Sequence, residues 1–338
     1  MKKIYWQSRT PVLFKAVQSG HLPAGANGGN AYDFHAAMAL KEDFDLQMDE
    51  AAVMKKSDSF RSYWWRMAHH SIHTDILICE PSPIVFGRRN KKAKTVAMIH
   101  HIDDDLANSS LKHKWFFDRL KKRLSASVDL VVTVSKHWEE YLKELGCKRI
   151  KIIYNSFDLH DYNVSDEEVD SFIRKHNFSS DVPIIYIGNA HRQKGVYEAY
   201  EALKDKNYQL VMSGSVNHAK DLPVKFLSLH KREYLTLLKA SDLVITLSKM
   251  TEGWNRIAHE ALLSKTPVIG SGTGGMKELL EGAGQVIVSD PKSLAEEVKN
   301  VLKNREHFSS LGYQYVKKFD NHYFVSEWKK VIRELTEE

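Results

Sequence analysis

Two glutamates eight positions apart, Glu252 and Glu260, stand in the stretch LVITLSKMTEGWNRIAHEALLSKTPVIGSGTGGMKEL, which reads strand, loop, helix, strand, Gly-rich loop, helix. Glu252 lies at a helix mouth and Glu260 one to two turns inside that helix. Gly253 lets backbone approach a ligand, and a helix N-terminus offers free N–H groups and a positive dipole end. Among such anion-binding ends a carboxylate suits sugar hydroxyls, whose hydrogen bonds it accepts. Outside this context Glu252 reads as a capping residue and Glu260 as a solvated one. The loop Gly272-Thr273-Gly274-Gly275 opens the next helix in the same way.

A second cluster lies in IIYIGNAHRQKGVYEAYEAL. Gly188 turns the chain after a strand, Asn189 follows, and Arg192 and Lys194 bracket a loop that ends at Gly195. Two cations there are placed to neutralise a diphosphate leaving group; the plain alternative is a solvated basic loop. Near the N-terminus, Gly25, Gly28 and Gly29 form a loop before a helix, without the G-x-G-x-x-G order of dinucleotide binders. His100 and His101 end a strand, and Asp103, Asp104 and Asp105 follow them. Helix capping explains the aspartates better than a metal does, and His101 reads as structural. His69 and His73 share a helix face with no third ligand, and Leu263 breaks an H-E-x-x-H pattern that would begin at His259. No metal site is expected.

These loops need strands to hold them. Short apolar strands are expected at KKIYWQ, DILICE, KTVAMIH, DLVVTVS and KIIYNS, then at VPIIYIG, YQLVMSG, VKFLSL, DLVITLS, TPVIGS and QVIVSD, with helical patterns between them. Strands of this kind alternating with helices imply parallel sheets covered on both faces. At roughly 150 residues per domain, 338 residues make two domains. The polar, acidic stretch FDLHDYNVSDEEVDSFIRKHNFSSDVP reads as the linker. The fold class expected is therefore α/β, two facing Rossmann-like domains with parallel sheets, the ligand lying outside the carboxyl ends of the strands.

Composition narrows the class. Hydrophobic residues at 43% and charged residues at 27% exclude wholesale disorder, and no apolar run approaches the ~18 residues of a membrane span. Two cysteines exclude a disulfide framework and point to a reducing compartment. Basic residues exceed acidic ones, 49 to 43. Many of them crowd LKHKWFFDRLKKRL, residues 111–124, where apolar positions recur at helical spacing. This amphipathic basic helix suggests contact with an anionic membrane, its alternative being a solvated face over a buried stripe. No strand interleaves aromatics with cations as nucleic-acid binders do, so nucleic acid is not expected as a partner.

Taken in order, the Gly-rich first loop, His100, Val134-Ser135, YNSFD, the run from Gly188 to Lys194-Gly195, and EGWN…HEALLSKTPVIG…GG resemble the retaining nucleotide-sugar glycosyltransferases of family 4, which have the GT-B architecture. The likeness is strongest from Val182 to Val288 and weakest over residues 40–95. It implies an N-terminal acceptor domain, 1–158, joined by a C-terminal helix, 319–338, that packs back on it. A donor-binding domain, 159–318, would lie between them. It implies that Arg192 and Lys194 hold the donor diphosphate and that Glu260 accepts from the ribose hydroxyls. Glu252 and the amides of Gly253, Trp254 and Asn255 would hold the donor sugar. Gly28 and Gly29 would let backbone approach phosphate or acceptor, and His100 would lie beside the reacting sugar. Gly188, Asn189, Gly274 and Gly275 complete the nucleotide-sugar site. No metal or other cofactor is required, and no protein nucleophile is named. In this chain Asn189 replaces the usual Arg, Asn255 stands where Gly is common, and Ser264-Lys265 replaces a small-Gly turn.

The expected function is retaining transfer from an NDP-sugar, a UDP-sugar first, to a hydroxyl of a glycan or lipid-linked acceptor in cell-surface polysaccharide synthesis. The expected place is the cytoplasm, with peripheral contact at the inner membrane face. The alternatives are a non-catalytic sugar-nucleotide binder and a sugar-nucleotide epimerase of the same fold.

Overall fold

The computed structural model describes residues 1–23, 26–214, 219 and 221–337, the side chains of Asp104 and Asp105 excepted. Gly25 of the first glycine loop therefore lies outside the described residues. The chain forms two units by contact, Met1–Asn155 with His322–Glu338, and Ser156–Asn321.

The first unit carries six parallel strands: β1 Lys3–Gln7, β2 Asp45–Met48, β3 Ile76–Cys79, β4 Lys94–Ile99, β5 Leu130–Thr133 and β6 Ile150–Ile152. They lie in the order β2-β1-β3-β4-β5-β6. Strands β3 and β5 are buried along their whole length, as a sheet covered on both faces requires. Its helices are α1 Pro11–Ser19, α2 Gly28–Lys41, α3 Phe60–His69, α4 Pro81–Phe86, α5 Asp104–Asn108, α6 Leu111–Ser127 and α7 Lys136–Glu144. One core joins β1, β3 and β4 to α1, α2 and the C-terminal helix through Ile4, Trp6, Tyr32 and Trp328; the other lies under α3, α4, α6 and α7.

The second unit repeats the plan with β7 Ile184–Asn189, β8 Gln209–Ser213, β9 Lys225–Leu227, β10 Leu243–Thr246, β11 Val268–Gly270 and β12 Val286–Ile287, ordered β12-β11-β10-β7-β8-β9. Its helices are α8 Asp166–Lys175, α9 Val196–Leu203, α10 Lys231–Ala240, α11 Arg256–Leu263, α12 Gly275–Gly282, α13 Leu294–Lys303 and α14 Arg305–Val316. Strand order reverses between β7 and β10, and between β1 and β3 in the first unit. Ligands of such sheets bind outside the strand ends at these reversals. The final helix, α15 Asn321–Glu337, buries Phe324, Trp328, Val331, Ile332 and Leu335, and Trp328 meets Trp6 of β1.

Two sequence expectations need correction. The stretch read as a linker is folded into the second unit. Ser165 and Glu168 form a capping box on α8, which packs on α10, and Arg232, Lys239 and Lys231 pair with Glu168, Asp166 and Asp161. These acidic side chains pair with α10 while remaining largely exposed. Strand β2 was not expected, because a four-residue DLQM edge strand carries too little apolar pattern to be seen.

Candidate functional site

In the second unit the chain leaves β7 at Gly188, whose φ is +97°, and turns through Asn189 to a short 3-10 turn at Arg192–Lys194. Asn189 faces inward: its Oδ1 accepts from the Tyr186 hydroxyl at 2.9 Å and from Ser213 at 3.2 Å. The residue that replaces the family's arginine is thus a brace between β7 and β8. Gly195 begins α9 at φ +74°, and a Cβ there would lie 2.1 Å from the Leu247 carbonyl oxygen. Only glycine lets the cationic turn lie this close to the chain leaving β10. The backbone of Lys249 donates to Gln193 at 2.9 Å, which ties the two loops together.

This packing brings Lys194 and Glu252 into contact. Nζ lies 2.7 Å from Oε1, with the side chains 30% and 14% exposed, so both are reachable and neither is fully solvated. Arg192 points elsewhere, its guanidinium 4.5 Å over the Tyr197 ring, and the Tyr197 hydroxyl donates to Asp221. The structure thus places Lys194, rather than Arg192, against the glutamate. The Gly272–Gly275 turn supports the Glu252 loop: Gly275 N–H donates to the Glu252 carbonyl at 2.8 Å.

Glu260 sits on α11 with its side chain 15% exposed, accepting from Tyr234 at 3.0 Å with Arg256 at 3.6 Å. Burial raises its carboxyl above the ordinary range, and Arg256 and the Tyr234 hydroxyl offset part of that. It is therefore not a solvated helix residue. Tyr234 and Arg256 are site residues the sequence reading missed.

Trp254 and Asn255 were expected to offer amides to the sugar; their side chains do structural work. The Trp254 indole is buried and donates to His259 Nδ1 at 2.9 Å. Asn255 takes φ +72°, caps Ala258 N–H and donates to Thr246 at 2.8 Å. A left-handed backbone explains why asparagine substitutes for the usual glycine; Lys265, at the third departure, also takes a left-handed φ of +59°. Burial pulls the His259 imidazole down to about 3. The unfolded chain then takes up a proton that the fold refuses, so stability is full above pH 6.5 and drains as pH falls toward 3. We expect His259→Gln to remove a slope of about 1.4 kcal/mol per pH unit in mid-window, read by urea unfolding across that range.

In the first unit, Asn27 caps α2 by accepting from Asn30 N–H, and Gly29 follows beside the His100 ring, 3.5 Å from where a Cβ would stand. His100 Nε2 lies 2.9 Å from Asp33 Oδ1, and Asp33 is 3% exposed. Asp33 is a residue that the sequence reading missed, since nothing local marks its partner 67 positions away. Glu80, at the end of β3, is a further missed residue. Burial, with the Asp33 carboxylate beside it, pushes its carboxyl up to about 8, and its Oε1 is buried without a partner. Asp103 caps α5 at 2.8 Å, and the exposed His101 ring lies 6.5 Å from that of Trp138 between centroids. Among the described residues no group of three His, Cys, Asp or Glu stands together as a metal site.

Two family descriptions match in tandem: Glycosyltransferase Family 4 over residues 54–161 and Glycosyl transferases group 1 over residues 168–318. The chain belongs to the family 4 glycosyltransferases. An uncharacterized glycosyltransferase of Methanocaldococcus jannaschii is 25% identical over 260 residues, 72% of this chain and 69% of that protein. A trehalose synthase of Thermococcus litoralis is 25% identical over 207 residues, 52% of this chain and half of its own. Among solved structures, the Anabaena protein HepE in complex with UDP-glucose superposes with a TM-score of 0.71, at 17% identity, over 99% of this chain and 100% of that one. The two sheets of this glycosyltransferase are those of the GT-B fold.

Proposed function

We propose that this glycosyltransferase moves a sugar, with retention, from a nucleoside diphosphate donor, a UDP-sugar first, to a hydroxyl of a glycan or lipid-linked acceptor in cell-surface polysaccharide synthesis. The carrying observation is the Lys194–Glu252 pair outside the ends of β7 and β10, held by glycines that admit no side chain. The UDP-glucose bound to the Anabaena neighbour supports the donor class.

In this reading Lys194 stabilises charge that grows on the departing diphosphate, and Arg192 adds to the field. Glu252 accepts from donor hydroxyls, and Glu260, preset by Tyr234 and Arg256, accepts from the ribose. The bond from the anomeric carbon to phosphate oxygen breaks while the acceptor oxygen bonds to the same face. The acceptor proton leaves with the diphosphate, so no protein nucleophile is required. His100, oriented by Asp33, serves the reacting sugar. The reaction needs no bound metal. The basic run at 111–124 supports a peripheral site of action at the inner face of a membrane, with the cations of its first turn, Lys112 and Lys114, exposed. No described helix is long and apolar enough to cross one.

Thermal unfolding with UDP, GDP, ADP and CMP, each with magnesium and with a chelator, tests the donor site. A ligand at 100 times its dissociation constant adds about 2.7 kcal/mol. One diphosphate is expected to raise the melting temperature by several degrees, equally in both conditions, and to lose this effect in Glu260→Gln. No shift from any of the four rejects the donor assignment.

A further inference from the structure

Of the nine large apolar side chains that stand exposed among the described residues, six belong to three helices of the first unit. Phe60, Trp64 and Trp65 on α3 are 51%, 46% and 67% exposed; Leu106 on α5 is 43%; Leu111 and Trp115 on α6 are 87% and 44%. These helices are neighbours. Phe60 meets Trp115 at 6.4 Å between ring centroids, and both rings rest on Phe86 of α4, at 5.0 and 6.1 Å. Phe60 and Trp64, like Leu111 and Trp115, are four residues apart and share a helix face. Phe60, Trp64, Leu111 and Trp115 thus line one ridge, with Trp65 one residue further round α3. Soluble proteins seldom leave such a patch uncovered without a partner for it.

The charge around the ridge on α3 and α6 is mostly positive, with Asp118 the one acidic residue of α6. Helix α3, FRSYWWRMAH, has no acidic residue and exposes Arg61; the first turn of α6 exposes Lys112 and Lys114 beside Leu111 and Trp115. The cations at 119–123, which dominate the sequence pattern, are largely engaged within the unit. Arg119 donates to the Val85 carbonyl at 2.8 Å, Arg123 to those of Ile84 and Gly87, and Lys121 lies 5.6 Å over the Tyr141 ring. They fasten α6 to α4 and α7. Of residues 121–123 Lys122 alone stands exposed, so a membrane contact centred there would offer one cation where the first turn offers two.

We propose that the ridge of α3 and α6, with Phe60, Trp64, Trp65, Leu111 and Trp115 as its wedge and Arg61, Lys112 and Lys114 as its rim, docks on an anionic lipid bilayer. Indole and phenyl rings settle at the headgroup level, Leu111 reaches the acyl boundary, and the cations meet lipid phosphate and carboxylate. A second copy of the chain fits less well, because Asp118 alone on α6 would answer Arg61, Lys112 and Lys114, whereas an anionic bilayer meets all three. The inference rests on the proposed function only for its acceptor, which such docking would bring to the enzyme.

Sedimentation with phosphatidylserine-rich and with pure phosphatidylcholine vesicles tests it on the whole chain. Binding to the first and not the second is expected, weakening as salt rises. Trp64→Ser with Trp65→Ser and Trp115→Ser should weaken partitioning at least tenfold. Reversing Arg61, Lys112 and Lys114 to Glu should weaken it about a hundredfold, since each cation near the surface contributes about fivefold. Reversing Lys91, Lys92 and Lys299, exposed elsewhere, should change it much less. Unaltered melting and an unaltered diphosphate shift show that the variants keep fold and donor site, so failure here leaves the donor assignment standing. Wild-type protein that stays in the supernatant overturns the proposal. So does equal binding by the ridge variants, or a wild-type dimer that the serine variants dissociate.

Discussion

Gly274→Ala is expected to lower kcat/KM for the nucleotide sugar by at least about a hundredfold, some 2.7 kcal/mol of transition-state stabilisation. Gly274 has φ +58° and ψ −137°, a backbone state that residues with a Cβ avoid. A Cβ there would lie 2.3 Å from the carbonyl oxygen of Glu252 and 2.8 Å from its amide nitrogen. Neither is the loose end of a side chain, so the Glu252 loop itself has to move. Displacing it withdraws the carboxylate from Lys194 and breaks the bond from Gly275 N–H. Stability should also fall, by about 2–4 kcal/mol, through strain and lost packing. Gly20→Ala is the control. Its φ is +71°, yet nothing lies within 4 Å of the new Cβ, so only the backbone cost of about 1 kcal/mol should appear and activity should hold. Steady-state kinetics and urea unfolding on both variants separate the effects, and a Gly274→Ala enzyme with wild-type kcat/KM would show that the loop does not carry the site.

The second large effect is expected at the ion pair. Lys194→Ala should reduce kcat by about 10²–10³-fold, the scale of losing one preorganised donor to developing charge. Glu252→Gln should act on the same scale, because it removes both the acceptor for sugar hydroxyls and the partner that aims Lys194. The double variant should be little worse than the poorer single one, since groups acting as a unit lose their joint effect once. Additive losses would show two independent sites. Arg192→Ala, whose guanidinium rests on Tyr197, should lose distinctly less than Lys194→Ala.

The strand–loop–helix alternation was legible because fully buried strands write continuous apolar runs, as at IIYIG and LVIT. The glutamate spacing and the glycine loops were legible because positive φ and close approach leave glycine at fixed places. What the sequence withheld was the partner each side chain had chosen. Arg119, Lys121 and Arg123 look like a solvated cationic face until α4 and α7 are seen to take them. Trp254 and Asn255 read as amide donors, and the sequence did not show that His259 and Thr246 would hold their side chains. The stretch 159–175 looks like a tether because its acids are counted before α10 supplies their cations. Asp33, Tyr234 and Glu80 carry no motif. They matter through contacts with residues 26 to 67 positions away or in another strand, and local periodicity is blind to those.

The most direct test of the central claim is proton NMR of the reaction with an α-linked UDP-sugar and a glycan acceptor, following the anomeric signal as it moves. The account predicts release of nucleoside diphosphate and a new α-linkage formed at the same rate, with loss of both in Lys194→Ala. A β-linked product, release of nucleoside monophosphate, or a product unaffected by Lys194→Ala would contradict it.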